Sequence, residues 1–274
     1  MSPLPTLFVS HGAPTLAIEP GRTGALLSLL GQRLPRPEAI LLISPHWATQ
    51  QPSVGSLITP TVMHDFSGFP RELYRLDYPA QGSPALAHRT VDALREAGIA
   101  ATIDSQRGLD HGAWVPLRYL FPEADVPVTQ LSLQPHQAPD YHYRIGQALS
   151  PLARDGVLVI GSGSFTHNLR ELRLQQDRMP GARYVDEFAQ WFAERMVAGD
   201  LSALLDYRAH APHAVRAHPD DDHLLPLFIA MGASDDWTQQ AHFDTGTTYD
   251  VLRMDAFAFG SAAAALRDIE ALVA

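Results

Sequence analysis

Along most of its length the chain sets unbroken apolar runs of strand length beside amphipathic stretches of helix length, and this alternation restricts the fold more than any other feature. Runs that are apolar throughout, rather than at every second residue, mark strands covered on both faces. The strands expected are Thr6–Ser10, Ala39–Ser44, Val54–Thr59, Ile99–Asp104, Val126–Leu131 and Val157–Gly161. The helices expected are Thr23–Leu34, Ser83–Ala97, Ala113–Phe121, Asp140–Arg154 and Ala182–Ala198. Ser83, Pro84 and Gly98 supply an N-cap, a first-turn proline and a C-terminal glycine for the second of them. Further short helices are expected at Asp200–Tyr207 and Leu224–Met231. Ala241–Thr245 and Tyr249–Phe259 read as a hairpin-like pair, and an Ala-rich helix closes the chain. The alternation predicts an α/β fold with a mostly parallel central sheet flanked by helices. With 274 residues and no internal repeat, linker or charge block, a single domain over residues 1–274 is expected.

Composition removes whole classes of chemistry. All 20 basic residues are Arg, so Schiff-base and P-loop lysines are excluded. The chain has no Cys, which excludes disulfides, thiolate nucleophiles and cysteine-ligated metals. A formal charge of −10 argues against nucleic acid and anionic membrane as partners. The N-terminal stretch has no charged region before its short apolar run, and no stretch of 18 apolar residues occurs, so a cytoplasmic location with no membrane span is expected.

In open α/β sheets, ligands bind beyond the carboxyl ends of the strands. His11 follows Leu-Phe-Val-Ser, His46 follows Leu-Leu-Ile-Ser-Pro, and His167 follows the strand that ends in Gly-Ser-Gly-Ser. One such histidine is most simply a turn or cap residue, but three on one rim point to a metal or a substrate. The Gly161–Ser164 turn lets backbone come close to something, without the flanking pattern of a nucleotide site. His218 and His223 bracket Asp220, Asp221 and Asp222, which suit the first turn of a helix starting at His223. A helix N-terminus disfavours imidazolium and would keep His223 neutral and able to bind metal. Asp110 is placed to hold His111 in one tautomer. Residues 61–82 form a long aromatic, Pro- and Gly-rich excursion of the kind that covers a site, with His64 as a lining or structural residue. His88, His136, His142, His210, His213 and His242 read as surface, solvated or cap residues. Arg71, Arg75 and Arg118 could pair with a substrate carboxylate, with surface placement the plainer reading of each.

Six segments carry a family likeness: Ser-His-Gly-Ala-Pro at 10–14, Ser-Pro-His-Trp at 44–47, the His64–Pro70 segment, Asp-His-Gly-Ala-Trp at 110–114, the Gly161–Leu169 segment and the His218–Leu227 segment. Together, and in this order, they resemble the class III extradiol ring-cleavage dioxygenases, in the branch similar to 4,5-DOPA dioxygenase extradiol. The resemblance implies one α/β domain and one divalent non-haem metal ion at the carboxyl ends of the strands. It also implies O2 as co-substrate and cleavage of a small aromatic diol next to its hydroxyls. By position, it implies His11, His46 and His223 as metal ligands and His167 as a further ligand or an acid–base residue. His111 is implied as the histidine that exchanges protons with substrate, and His64, Asp65 and Phe66 as part of the substrate-covering segment. The third ligand is thus a histidine, where ring-cleaving iron sites commonly have a carboxylate. Imidazoles alone suit Fe(II) and Zn(II) alike, so the donor set leaves the metal open. A zinc hydrolase on the same histidines, or a non-enzymatic binder like the Memo proteins, is the alternative. The chain is expected to act as a monomer or homodimer.

Overall fold

A computed structural model describes residues 4–172, 183–269 and 272. The chain runs β1 (Thr6–Ser10), α1 (Gly21–Arg33), β2 (Ala39–Ala48), β3 (Ser53–Gly55), α2 (Pro84–Glu96), β4 (Thr102–Asp104), α3 (His111–Leu120), β5 (Val128–Leu133), α4 (Pro139–Arg154) and β6 (Val157–Gly163). It continues through α5 (Arg183–Ala198), α6 (Leu201–Leu205), α7 (Tyr207–His210), α8 (Ala214–Ala217) and α9 (Leu225–Ala233). The last strands are β7 (Gln240–Phe243), β8 (Thr247–Thr248), β9 (Leu252–Arg253) and β10 (Ala256–Phe259).

Eight strands form one sheet in the order β4-β3-β5-β2-β6-β1-β10-β7. The central pairs β5/β2, β2/β6 and β6/β1 are parallel, and β1, β5 and β6 are buried along their whole length, as strands covered on both faces must be. Helices cover both faces: α4 and α9 pack on one side against β6, and α3 on the other against β2, with α1 packed on α3. The architecture is a single α/β domain with a mostly parallel central sheet. Among the described residues no helix is long and apolar enough to cross a membrane.

Several element bounds differ from expectation, each for a local reason. After Gly55 the chain leaves the sheet, and Ile58 is 67% exposed; the backbone there turns to accept a hydrogen bond from Gly82. Ile99 is not strand. Its amide bonds back to Leu94 O around Gly98, at φ 76, so it belongs to the end of α2. The strand expected at Val126–Leu131 lies two residues later, and β2 runs on through Pro45 and His46 past a bulge. The stretch expected as one helix from Asp200 to Tyr207 is two short ones, α6 and α7. The expected helix start at Ala182 lies outside the described residues. The hairpin-like pair is present as antiparallel β7/β10, but residues 247–253 leave it to form the small β8/β9 hairpin. The closing Ala-rich segment is a 3-10 helix, Ser261–Leu266.

His142 departs from expectation altogether. It is fully buried, because it shares the inner face of α4 with Ile145 and Leu149 at helical spacing. Its Nδ1–H donates to Ala138 O, and burial pushes its pKa down to about 4. His242 is no free surface group either, with Nε2 2.6 Å from the buried Asp255 carboxylate.

Candidate metal centre

The sheet delivers five histidines to one cavity. His11 directly follows β1, and its backbone amide still bonds to Gly163 O of β6. His46 sits in the extension of β2, and His111 is the first residue of α3. His167 lies in the loop after β6, held by its amide on Ala217 O. His223 lies in the turn before α9, which begins two residues later than the sequence suggests. The glycines of β6 explain that last placement. A Cβ on Gly163 would come within 2.0 Å of His223 O, and one on Gly161 within 2.2 Å of Pro226 O. The Gly-Ser-Gly strand end therefore admits the backbone of the segment carrying His223. Ser164 N then donates to His223 O at 2.9 Å.

One ring nitrogen from each of His11, His46 and His223 lies within 4.8 Å of the other two. Nε2 of His11 and Nε2 of His46 face each other at 3.1 Å. The His11 tautomer follows from its neighbours. Ser162 Oγ donates its one proton to Gly112 O at 2.5 Å, so it must accept from His11 Nδ1 at 3.0 Å. The lone pair of His11 therefore lies on Nε2, toward His46. His223 Nδ1 is buried without a hydrogen-bond partner, although Asp222 Oδ1 lies 3.1 Å away out of line. One shared proton can bridge two such nitrogens, not three. Converging neutral imidazoles with an orphaned buried nitrogen fit a divalent metal ion. Gly112 makes room for the group: a Cβ there would meet Ser44 Oγ at 2.4 Å, His46 Cδ2 at 3.0 Å and His11 Cε1 at 3.1 Å.

Burial keeps these rings neutral. It pushes His11 and His223 well below their ordinary 6.5, with the crowding of the other histidines adding to the effect. Burial, then His111, brings His46 down to about 4 against the pull of Asp110, Asp65 and Asp222. His167 falls to about 4 through burial, opposed by Asp222. His167 groups with Asp222 and His223 rather than with His11 and His46, and stacks flat on the His223 ring, centroids 3.4 Å apart at 12°.

The carboxylate on His111 is Asp65, not Asp110. Asp65 Oδ1 lies 3.0 Å from both the amide and Nδ1 of His111, while Oδ2 stands 3.9 Å from His46 Nδ1. Burial alone would raise the Asp65 pKa, but the hydrogen bonds from His111 outweigh it and bring it down to about 2. Asp110 is fully buried and turned the other way, bound by Arg107 at 2.7 Å and by Gln130. Proximity in sequence suggested the wrong acid, because the first helical turn points the Asp110 side chain away from its neighbour. Asp221, in the acidic turn, is taken by Arg208.

The histidines form the floor of a cavity of about 320 Å³, with Phe66, Phe69, Leu169, Leu172, Tyr249 and Leu252 among its walls. Phe66 meets His111 edge-on at 5.7 Å. The covering segment is tied down where Trp114 Nε1 donates to Met63 O. His64 stands behind this wall: it donates to Leu76 O, packs on Phe66, Tyr74 and Trp114, and does not line the cavity. Arg71, Arg75 and Arg118 do not line it either. Ser162 and Gly112 sit inside the motifs at 161–169 and 110–114 without being marked there as site residues, whereas Tyr249 lies in no motif.

Residues 6–251 match the family described as the catalytic LigB subunit of aromatic ring-opening dioxygenase. A 4,5-DOPA dioxygenase extradiol of Beta vulgaris is 42% identical over 84% of this chain and 86% of its own length. The Escherichia coli K12 protein of the same name is 36% identical, over 85% and 86%. A crystal structure of an uncharacterized Escherichia coli K12 protein superposes with a TM-score of 0.77 at 30% identity, covering 94% of this chain and all of the other. These likenesses do not favour the hydrolase or the binder. With a cluster of histidines on the rim of its α/β sheet that could hold a metal ion, the chain belongs to the LigB family of aromatic ring-opening dioxygenases.

Proposed function

We propose that this protein is an extradiol ring-cleavage dioxygenase for a small catechol, of the DOPA kind, with one Fe(II) held by His11, His46 and His223. The observation that carries this is the convergence of three neutral imidazoles at one cavity floor, with His111 and His167 on the same lining. Bound Fe(II) supplies a Lewis acid that lowers the catechol hydroxyl pKa and a redox centre for O2, which Zn(II) cannot be.

The remaining roles fall to the chain itself. Asp65 is ionised, so it accepts from His111 Nδ1–H and leaves the lone pair on Nε2. His111 thereby serves as the base that takes a catechol proton, an effect worth typically about 10²–10⁴ in rate. His167 lies parallel to His223, a poor attitude for binding the same ion as its neighbour, and is assigned as the second acid–base group. Phe66 and Phe69 pack on the aromatic ring and exclude water.

Oxygen uptake by protein stripped of metal and reloaded anaerobically with Fe(II) or Zn(II) tests the proposal, using L-DOPA, caffeate and protocatechuate. Fe(II)-dependent uptake with a yellow ring-opened product is expected. Product release without oxygen uptake would instead point to the hydrolase.

A further inference from the structure

A second cavity of about 360 Å³ adjoins the histidine cavity, and the two have Ala13 and Tyr249 in common. Ala13 contributes only a methyl group, so the bulk between them is the Tyr249 phenol. The Tyr249 hydroxyl lies 3.0 Å from Thr15 Oγ1, which lines the second cavity. Deeper in that cavity the buried hydroxyls of Thr23 and Thr245 pair at 2.8 Å, and the exposed Glu19 and Arg22 stand at its mouth.

The backbone at Tyr249 is unusual for its residue type. Tyr249 and Asp250 take φ of 51° and 63°, consecutive left-handed positions in the turn joining β8 and β9. Gly, Asn and Asp suit such positions, and a bulky aromatic there is strained. Local turn chemistry therefore does not account for tyrosine, whereas its reach between two cavities does.

We propose that Tyr249 is the specificity-determining wall of the site, and that its side chain decides how long a ring substituent the histidine cavity accepts. The inference rests on the ring-cleavage reading for the identity of the ligand as a catechol. With the phenol in place the site takes a catechol with a short substituent. With it removed, the threonine-lined compartment receives a longer tail ending in a hydroxyl group.

The test compares 4-methylcatechol with 4-(6-hydroxyhexyl)catechol on wild type, Tyr249→Gly, Tyr249→Asn and Tyr249→Phe. Gly and Asn both suit the left-handed backbone, so these variants relieve strain rather than add it. Two readouts are taken: dissociation constants on the Zn(II)-loaded protein by calorimetry, and kcat/KM on the Fe(II)-loaded protein. The long-to-short preference is expected to rise at least about tenfold in the Gly and Asn variants, and to stay at the wild-type value in the Phe variant. An unchanged preference in Gly and Asn, or an equal rise in Phe, overturns the proposal. If binding preference shifts as expected but no catechol is cleaved, the wall stands and the ring-cleavage reading fails. Cleavage with an unshifted preference does the reverse.

Discussion

Oδ1 of Asp65 stands 3.0 Å from both the backbone amide and the ring Nδ1 of His111. One oxygen from the covering segment thus anchors the first residue of a helix 46 positions further along the chain and sets its tautomer. The same carboxylate turns its second oxygen toward His46, 3.9 Å away. The segment over the cavity and the His111 ring below it are therefore one unit.

Asp65→Asn removes the ionised acceptor that keeps the proton on Nδ1. Turnover is expected to fall by about 10- to 100-fold, with metal content unchanged, since His111 is outside the trio of converging nitrogens. Steady-state oxygen uptake alongside metal analysis checks this. A loss in KM alone would show that Asp65 acts on binding and not on the base.

Gly112→Ala puts a methyl group against Ser44 Oγ, His46 and His11. Metal affinity is expected to drop at least about tenfold, because the His11 and His46 rings, the proposed ligands, must shift together. Ser162→Ala should produce a similar loss by releasing His11 Nδ1. Competition with a chelator of known affinity measures both, and wild-type affinity in either variant would remove that contact from the account.

His11→Ala and His167→Ala test the proposed division between ligand and acid–base group. The first is expected to lose bound metal. The second should keep its metal and fold while turnover falls by at least about two orders of magnitude. Metal content and oxygen uptake on the same preparations decide, and metal loss from the His167 variant would make that residue a ligand.

His142 provides a pH effect outside the site. Its folded pKa is about 4 against an ordinary 6.5, because burial disfavours the charged ring. The folded state binds fewer protons than the unfolded one between these values. Stability is therefore undiminished above pH 6.5 and declines as pH falls toward 4, by about 3 kcal/mol in all from this residue. In His142→Gln, which retains a donor for the Ala138 carbonyl, urea denaturation across pH 4–7.5 should show a shallower decline. An identical slope in both proteins would mean that His142 does not titrate in this range.

Local chain chemistry decided a large part of this molecule. Thr6–Ser10 is a strand within the bounds its apolar run implies, and Ser83 caps α2 through Leu86 N as its sequence requires. The alternation of two-sided apolar strands with amphipathic helices is enough to imply a parallel sheet, and that in turn places His11, His46 and His167 at one rim. Residue context also marked His111, His223 and the covering segment, and motif likeness supplied the roles expected of them. These features depend on neighbours a few residues apart, which a sequence displays directly.

What the tertiary structure alone decided depends on segments far apart in the chain. Asp65 rather than Asp110 holds His111, since side-chain direction at a helix start is set by packing and not by adjacency. β10 enters the sheet antiparallel beside β1, a pairing across some 250 positions whose apolar residues carry no mark of their partner. His142 became a buried neutral ring because α9 covers that face of α4. Tyr249 became a wall between cavities only once the β8/β9 hairpin had carried it to Thr15, 234 residues away. Periodicity reports which face of an element is apolar, but which distant group will meet that face is settled by the packing of the whole chain.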